Sequence, residues 1–214
     1  MNTSMGTYLV TQSDRSDGRT TTDVVRAAVR GGVDMVQLRE KHASARERYE
    51  IGREIREVTA DAGVSFVVND RVDIARAIDA DGVHLGDDDV PVSVAREQLG
   101  PDAIVGRSVS TVAGANAAED AGADYLGVGA VFSTATKETT PDQSEIGVKR
   151  IASVADAVSI PLVGIGGITP SNAPEVVAAG ADGVAVVTAI TAADDPETAT
   201  RRLASAVSDG RDRR

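Results

Sequence analysis

The sequence contains no cysteine and no tryptophan, and it has only 2 phenylalanines and 3 tyrosines among 214 residues. Without cysteine, disulfide bonds, thiolate metal ligands and cysteine nucleophiles are all excluded. The hydrophobic share of 42% is ordinary for a globular protein. With so few aromatic rings, however, the core has to be packed mainly from valine, alanine, leucine and isoleucine.

Lysine is also scarce: 3 lysines and 19 arginines stand against 22 aspartates and 11 glutamates. The formal net charge of −11 disfavours nucleic acid and anionic membranes as partners, because their phosphates would repel a chain without a locally basic face. An Asp-rich, Lys-poor composition indicates either a salt-tolerant, halophile-like acidic surface or a generic solubility surface.

Long hydrophobic runs are absent as well. Residues 1–6 lack a basic stretch followed by an apolar one, so a secretory signal is not predicted. The longest uncharged run, residues 157–174, contains three prolines and three glycines, which makes it unsuitable as a membrane helix. We therefore expect a cytoplasmic protein.

Eight short apolar runs recur at intervals of about 25 residues, which leaves room for a helix between successive strands. Apolar strands that alternate with helical patterns predict a parallel sheet buried on both faces. Eight units favour a single-domain α/β fold, the (β/α)8 TIM barrel, over an open doubly wound sheet, since no dinucleotide-binding fingerprint follows the first strand. We expect the barrel at 1–207 and a polar C-terminal tail at 208–214.

The element bounds follow from the same patterns. The predicted strands are 7–11, 35–39, 65–69, 82–85, 104–108, 125–129, 162–164 and 183–187, and the predicted helices include 22–30, 45–62, 111–121, 151–157 and 196–207. A short segment rich in glycine, alanine and aspartate precedes four of the strands, at 31–34, 80–83, 122–125 and 180–183. Its glycine is expected to end the preceding helix in the left-handed conformation.

Polar residues gather at the predicted C-terminal ends of the strands, where barrels of this type hold their active sites. Gln37, Arg39 and Lys41 alternate at the end of the second strand, so they share one face and predict a paired cationic group. A surface ion pair with Glu40 is the simpler alternative. Ser108 ends the fifth strand, where its hydroxyl either binds a ligand or caps the next helix.

Carboxylates end the two strands that follow the cationic group. Asp70 ends the third strand, and the run 87–89 of three aspartates follows the fourth. Oxygen ligands without thiolates suit Mg²⁺, which usually keeps waters and shares phosphate oxygens with its ligand. A solvated acidic turn explains the aspartate run alone, but it does not explain Asp70 beside it.

Glycines follow the seventh strand at Gly166 and Gly167, beside the end of the eighth strand at Val187 and Thr188. Backbone N–H groups at these two strand ends form the usual phosphate cradle of the fold, so the pattern predicts a phosphate site. Simple glycine turns between strand and helix are the alternative. A hydroxyl-rich loop with one lysine, residues 132–137, follows the sixth strand.

Together these motifs resemble the thiamine-phosphate synthase family over nearly the whole chain. They are YLVT at 8–11, QLREK at 37–41, NDRVD at 69–73, GVHLG at 82–86 with aspartates 88 and 89, GRS at 106–108, TATK at 134–137 and VGIGGI at 163–168. The resemblance implies a TIM-barrel transferase of thiamine biosynthesis. Its substrates are 4-amino-2-methyl-5-hydroxymethylpyrimidine diphosphate and 4-methyl-5-(2-hydroxyethyl)thiazole phosphate, and its products are thiamine phosphate and diphosphate.

The resemblance also implies roles residue by residue. The pyrimidine diphosphate would be held by Gln37, Leu38, Arg39, Glu40, Lys41, Asn69, Ser108 and Lys137, the thiazole phosphate by Thr134, Ala135, Thr136, Gly167, Val187 and Thr188, and the cofactor Mg²⁺ by Asp70 and Asp89. Arg39, Lys41 and Lys137 are the expected catalytic residues, because charge grows on the leaving diphosphate. No side-chain nucleophile is needed, so His42 and His84 are interpreted as packing or surface residues.

Two positions depart from the family pattern. Asp87 replaces a glutamine, which either tightens Mg²⁺ binding or is a surface exchange, and Gln12 replaces an aspartate near the first strand. The partners expected are phosphorylated small molecules, with no nucleic acid and no membrane, and a homo-oligomer is compatible with the sequence.

Three other functions would leave different residues at the strand ends. A tautomerase-type relative would keep the phosphate cradle and lose the diphosphate and metal residues, which this chain retains. A non-catalytic barrel would bind the thiazole phosphate without releasing diphosphate. A sugar-phosphate isomerase or aldolase would need a lone acid/base carboxylate or Schiff-base lysine in the mouth.

Overall fold

A computed structural model describes residues 5–134 and 145–214. Within these ranges, eight parallel strands pair in chain order and the last strand pairs with the first, so the sheet closes into a barrel. Helices lie between the strands along the chain. The predicted single-domain (β/α)8 barrel is confirmed.

The strands and helices have the following bounds. The strands are β1 Thr7–Val10, β2 Met35–Leu38, β3 Ser65–Asn69, β4 Gly82–Leu85, β5 Ile104–Val109, β6 Tyr125–Gly129, β7 Leu162–Ile165 and β8 Gly183–Val186. The helices are α1 Thr21–Arg30, α2 Ala45–Ala62, α3 Val72–Ala77, α4 Val92–Leu99, α5 Val112–Asp120, α6 Gly147–Ala155, α7 Ala173–Ala178, α8 Thr188–Thr191 and α9 Pro196–Arg211. A short 3-10 turn, Ser13–Arg15, follows β1.

The predicted strands β3, β4 and β6 have the observed bounds, and the other five differ by one residue at the C-terminal end. Helix α2 also matches: Ser44 and Glu47 form a capping box at its start, and Gly63 ends it at φ 67°. Helices α3, α4, α7 and α8 lie in gaps between strands for which the sequence pattern predicts no helix bounds. They span only four to eight residues, too few for an apolar repeat of period 3.6 to stand out.

The C-terminal segment differs from the tail expected at 208–214. Helix α9 continues through Arg211, and Gly210 is buried against α7, where a side chain would collide with Val177 and Pro174. The guanidinium of Arg214 donates to the carbonyl oxygen of Val177 at 2.9 Å. Residues 208–211 therefore belong to the last helix, because its packing against α7 extends beyond residue 207.

Apolar side chains form two separate cores. The larger one fills the layer between the sheet and the surrounding helices, with residues such as Leu38, Phe66 and Leu126. The smaller one lies inside the barrel and includes Tyr8 and Tyr125. Because side chains alternate along each strand, one set faces the helices and the other the barrel axis.

Four aspartates pin the strands together in pairs at the N-terminal end of the barrel. Each carboxylate accepts a hydrogen bond from a backbone N–H at or next to the start of the preceding strand: Asp34 from Thr7 (2.7 Å), Asp81 from Phe66 (2.8 Å), Asp124 from Val105 (2.7 Å) and Asp182 from Leu162 (2.9 Å). The N–H of each aspartate donates to the carbonyl of the same residue, at 2.8–2.9 Å. We call these reciprocal pairs the aspartate clamps.

The clamps lie in the four segments that the sequence singled out as helix ends. In three of the segments a left-handed glycine follows the helix, with Gly32, Gly122 and Gly180 at φ 86°, 88° and 116°. In the fourth segment the expectation is wrong, because Gly82 begins β4 and the left-handed residue after α3 is Asp79 at φ 53°. The aspartates have the further role of joining odd strands to the even strands that follow them. In the part of the chain that the structure describes, no helix is both long and apolar enough to cross a membrane.

The clamps predict a stability effect that is separate from the active site. Asp182→Ala leaves the N–H of Leu162 without its acceptor and is expected to lower the free energy of unfolding by about 1–3 kcal/mol. Asp182→Asn keeps an acceptor oxygen and is expected to lose less. Denaturant unfolding measures both.

The matched control is Asp102→Ala, since Asp102 is exposed and follows α4 at the same end of the barrel. We expect its effect to stay within about 0.5 kcal/mol. If Asp182→Ala is no more destabilising than this control, the clamp does not stabilise the fold.

Candidate active site

One cavity of about 240 Å³ opens at the C-terminal ends of the strands. Its walls come from residues of every strand or of the loop that follows it, so the chain converges on this cavity. The residues predicted for the site that line it are Gln37, Arg39, Asn69, Ser108, Thr134, Gly167, Val187 and Thr188.

The motif at the end of β2 divides between two environments. Gln37 and Arg39 line the cavity, as alternation along the strand predicts. Leu38 is buried in the core between sheet and helices, and the side chain of Glu40 is also buried, away from the cavity lining. The side chains of Leu38 and Glu40 therefore lie away from the cavity lining, and their predicted contacts with the pyrimidine diphosphate stay predictions.

Glu40 has a structural partner set instead. Its carboxylate accepts the N–H of Ser13 at 2.9 Å and the hydroxyl of Thr21 at 3.0 Å. These bonds hold the loop between β1 and α1 against the end of β2. The loop in turn brings Gln12 to Arg39, whose guanidinium donates to the Gln12 Oε1 atom at 3.2 Å. Gln12, which departs from the family pattern, thus orients one of the predicted catalytic cations.

Asp70 and Asp89 come together at the mouth, with their carboxyl groups within hydrogen-bonding reach of each other. Burial, and then the hydrogen bond and the charge of Asp89, raise the pKa of Asp70 to about 6, while Lys41 and Arg39 act in the opposite direction. A divalent cation relieves the repulsion between two such adjacent carboxylates.

The backbone holds both members of this carboxylate pair. Asp70 has a left-handed φ of 63°, and its N–H donates to the carbonyl oxygen of His84 at 2.9 Å. The carboxylate of Asp89 accepts the N–H of Gly86 at 2.6 Å. Within the described ranges, no group of three or more His, Cys, Asp or Glu side chains is gathered. The pair is therefore suited to Mg²⁺, which takes one or two carboxylates and completes its shell with water and phosphate oxygens.

Asp87, the other departure from the family pattern, forms an ion pair with Arg107. The guanidinium donates to its carboxylate at 2.8 Å and also to the carbonyl oxygen of Ser108 at 2.9 Å. Both side chains line the cavity. The negative charge that Asp87 adds is thus compensated by a cation from the next strand.

The glycine loop after β7 packs closely on the start of the loop after β6. A β-carbon at Gly167 would lie 2.5 Å from the carbonyl oxygen of Ser133, and Gly167 has a φ of 64°. Asn172 holds the loop from the other side, donating to the carbonyl oxygen of Gly167 at 3.0 Å and accepting the N–H of Thr169 at 2.8 Å. Only glycine satisfies both the conformation and the close approach.

Thr188 begins α8 beside this loop, and the first N–H groups of a helix have no acceptor inside the helix. Gly167, Val187 and Thr188 all line the cavity, in agreement with the predicted phosphate cradle. Thr134 lines it too. Ala135, Thr136 and Lys137, the rest of the predicted motif, lie outside the described residues.

A chain of buried hydrogen bonds crosses the floor of the cavity. Gln37 donates from Nε2 to the hydroxyl of Tyr8 (2.6 Å), which bonds the hydroxyl of Tyr125 (2.8 Å). Tyr125 bonds Nδ1 of His84 (2.9 Å), and Nε2 of His84 bonds the hydroxyl of Ser108 (2.9 Å). We call this the interior chain. His84 is 8% exposed and belongs to the site, so its interpretation as a mere packing or surface residue is incomplete.

Comparisons with known proteins agree with this arrangement. A sequence model of the family described as thiamine monophosphate synthase matches residues 7–190. The chain is 67% identical over 207 residues to the thiamine-phosphate synthase of Haloquadratum walsbyi, covering 97% of this chain and 93% of the relative. It is 68% identical over 207 residues to that of Natronomonas pharaonis, covering 97% of each.

A solved structure is similar over the same extent. The thiamine phosphate pyrophosphorylase from Pyrococcus furiosus superposes with a TM-score of 0.89 at 40% sequence identity, covering 98% of each chain. The likeness therefore extends over the whole barrel, including all the strand ends that form the cavity.

The carboxylate pair leads to a test that needs no substrate. Asp70→Asn removes one charged ligand and is expected to weaken the binding of Mn²⁺ or Mg²⁺ at least about tenfold. Isothermal titration with the metal alone, or the electron paramagnetic resonance signal of Mn²⁺, measures this. Asp88→Asn is the matched control, because Asp88 is exposed in the same aspartate run. Equal metal affinity of the two variants would contradict the assignment.

Proposed function

The chain belongs to the thiamine monophosphate synthase family, its activity is the synthesis of thiamine phosphate, and we propose how the residues of the barrel mouth carry this activity out. The observation that supports the proposal is one cavity bordered by two different anion sites. A group of cations and paired carboxylates lies at the ends of β2 to β4, and a glycine cradle lies at the ends of β7 and β8.

The cationic group takes the pyrimidine diphosphate. Arg39 lines the cavity, and Lys41 and Arg39 are both close enough to Asp70 to act on its pKa. Positive charge placed where the leaving oxygens become negative lowers the barrier to departure of diphosphate. Lys137 and Asn69 complete this group in the proposal, Lys137 on the basis of the TATK motif alone.

Asp70 and Asp89 would hold Mg²⁺ at the same end of the cavity. When bound, the ion supplies Lewis-acid stabilisation of phosphate oxygens. The carboxylate pair fits such an ion because Asp70, whose pKa is raised by burial and then by Asp89, lies within hydrogen-bonding reach of that second carboxyl group. Asp87 is held by Arg107 and stays outside this pair in the proposal.

The glycine cradle takes the phosphate of the thiazole. Gly167 and the first turn of α8 offer backbone N–H groups without bringing further charge, and Thr134 and Thr188 add hydroxyls at the same wall. Anchoring the phosphate places the thiazole nitrogen toward the pyrimidine, which converts an encounter of two molecules into a reaction of held partners.

The reaction exchanges one bond at the pyrimidine methylene carbon. The bond from this carbon to the diphosphate oxygen breaks with its electron pair staying on oxygen, and the lone pair of the thiazole nitrogen forms the new carbon–nitrogen bond. The electron-donating amino group of the pyrimidine supports positive charge at the methylene. No side chain has to act as nucleophile, and the protein contributes orientation and stabilisation of the leaving group.

The rival functions differ at the cationic group. A barrel that only binds or isomerises a thiazole phosphate needs the glycine cradle and has no use for Arg39 beside a carboxylate pair. A Schiff-base aldolase needs a lysine whose amine is readily deprotonated, whereas Lys41 is close enough to Asp70 to act on its pKa, and a neighbouring carboxylate favours the protonated amine. Release of diphosphate separates these possibilities.

The decisive assay measures diphosphate release with both substrates, with and without Mg²⁺. Lys137→Ala is expected to lower turnover by at least about a hundredfold, since an oxyanion-stabilising group of this kind is typically worth that much. Lys149→Ala, an exposed lysine on α6, is the matched control and should keep near-normal turnover. If Lys137→Ala stays as active as the control, the leaving-group role of Lys137 is wrong. If the wild-type chain releases no diphosphate, the proposed function is wrong.

A further inference from the structure

The interior chain connects two groups that face the cavity from different strands. Gln37 lies at one end on β2 and Ser108 at the other on β5. Between them, Tyr8 and Tyr125 are buried and His84 is nearly so. Burial raises the pKa of both tyrosines above the ordinary value, so each hydroxyl keeps its proton and can donate one hydrogen bond.

The barrel makes room for the rings of this chain by leaving out side chains beside them. A β-carbon at Gly106 would collide with the ring of Tyr125, and one at Gly127 would lie 3.1 Å from Cε1 of His84. The rings of Tyr8 and Tyr125 contact each other edge to face, with centroids 6.0 Å apart. The imidazole of His84 lies 5.4 Å from Tyr125 by the same measure. The three rings are therefore fixed in place by packing.

The direction of the hydrogen bonds along the interior chain follows from the bond that Gln37 donates at one end of it. Because Nε2 of Gln37 donates to Tyr8, the hydroxyl hydrogen of Tyr8 has Tyr125 as its acceptor. Tyr125 then donates to Nδ1 of His84, which leaves the imidazole proton on Nε2, where it donates to Ser108. With Nε2 of the Gln37 amide facing Tyr8, the opposite direction would point the Tyr8 hydroxyl hydrogen at a donor, an arrangement that costs free energy.

We propose that His84 is a positioning residue, a neutral imidazole protonated at Nε2 that fixes the hydroxyl of Ser108 as a donor into the cavity. The same direction of hydrogen bonding leaves the Oε1 atom of Gln37 as an acceptor, and this oxygen bonds no described residue. The interior chain thus sets the polarity of two ligand-facing groups at once: an acceptor on β2 and a donor on β5.

This pair of groups fits a neutral amino-substituted nitrogen heterocycle. An exocyclic amino group donates to Gln37, and a ring nitrogen accepts from Ser108. Resting on the proposed function, the ring is the aminopyrimidine half of the diphosphate substrate. A ring with a carbonyl in place of the amino group would bring its carbonyl oxygen against Oε1 of Gln37, and both atoms are acceptors. The interior chain therefore also disfavours hydroxypyrimidines.

The first experiment reads the tautomer directly and needs no substrate. The chain has only 2 histidines, so ¹⁵N-histidine labelling gives two imidazole patterns, and His42→Gln identifies the one that belongs to His84. The expected pattern is a neutral ring protonated at Nε2, and Tyr125→Phe is expected to remove this preference. A ring protonated at Nδ1 in the wild-type chain would overturn the proposal.

The second experiment measures the affinity for the pyrimidine diphosphate by titration, without turnover. Tyr125→Phe keeps the ring and removes the hydroxyl, so we expect affinity to fall about three- to tenfold while the Michaelis constant for the thiazole phosphate is unchanged. In a Ser108→Ala background the same substitution should have little further effect, because the interior chain acts through Ser108. An unchanged loss in that background would indicate a purely structural role and overturn the proposal.

Replacing the imidazole dissects its two bonds. His84→Gln places an amide nitrogen near the position of Nε2 and is expected to retain more pyrimidine affinity than His84→Asn, which reaches Tyr125 but not Ser108. Equal losses in the two variants would contradict a role through Ser108. These outcomes are distinguishable from those that test the proposed function. If the protein binds the pyrimidine diphosphate but releases no diphosphate, the proposed function is wrong and the role of the interior chain still stands. If diphosphate release is normal and Tyr125→Phe has no effect, the role of the interior chain is wrong and the proposed function still stands.

Discussion

Because the eight strands close into a barrel, alternate side chains of every strand point into one narrow interior, which has space for only a few side chains from each strand. Residues that are neighbours in sequence therefore end in different places: Gln37 reaches the cavity, whereas Leu38 packs against helices. The same limit on space explains the missing side chains at Gly106 and Gly127, which border the rings of Tyr125 and His84. The rings of Tyr125 and His84 fit into the interior because the residues beside them are glycines.

The architecture and the location of the site were accessible from sequence, because both depend on local patterns. Apolar runs predict the strands, and the rule that parallel strands end at one face brings Arg39, Asn69 and Gly167 to the same cavity. The bounds of the short helices α3 and α7 are not predictable from the sequence pattern, because six residues carry too little periodicity. The QLREK motif does not reveal that the Glu40 side chain lies away from the cavity, because that depends on its hydrogen bonds to Ser13 and Thr21 from another part of the chain.

Hydrogen bonds between distant strands were beyond sequence reasoning. The partners of His84 lie 24 and 41 residues away in sequence, on two other strands, and only the register of the closed sheet shows that they meet. The ion pair of Asp87 with Arg107 depends on the same register. The net charge of −11 was likewise a poor guide to the ligand, since acidic groups at the mouth are paired with arginines or with each other.

The aspartate clamps divide the barrel into units of two strands. Each clamp joins an odd strand to the even strand after it, so β1–β2, β3–β4, β5–β6 and β7–β8 are four copies of one two-strand module. If a circularly permuted chain begins between two modules, both partners of every clamp lie in one continuous segment. If it begins inside a module, the two partners of that clamp lie near opposite ends of the permuted chain. The fold thus has four natural joints and a fourfold internal symmetry that its amino-acid sequence shows only in these short recurring segments.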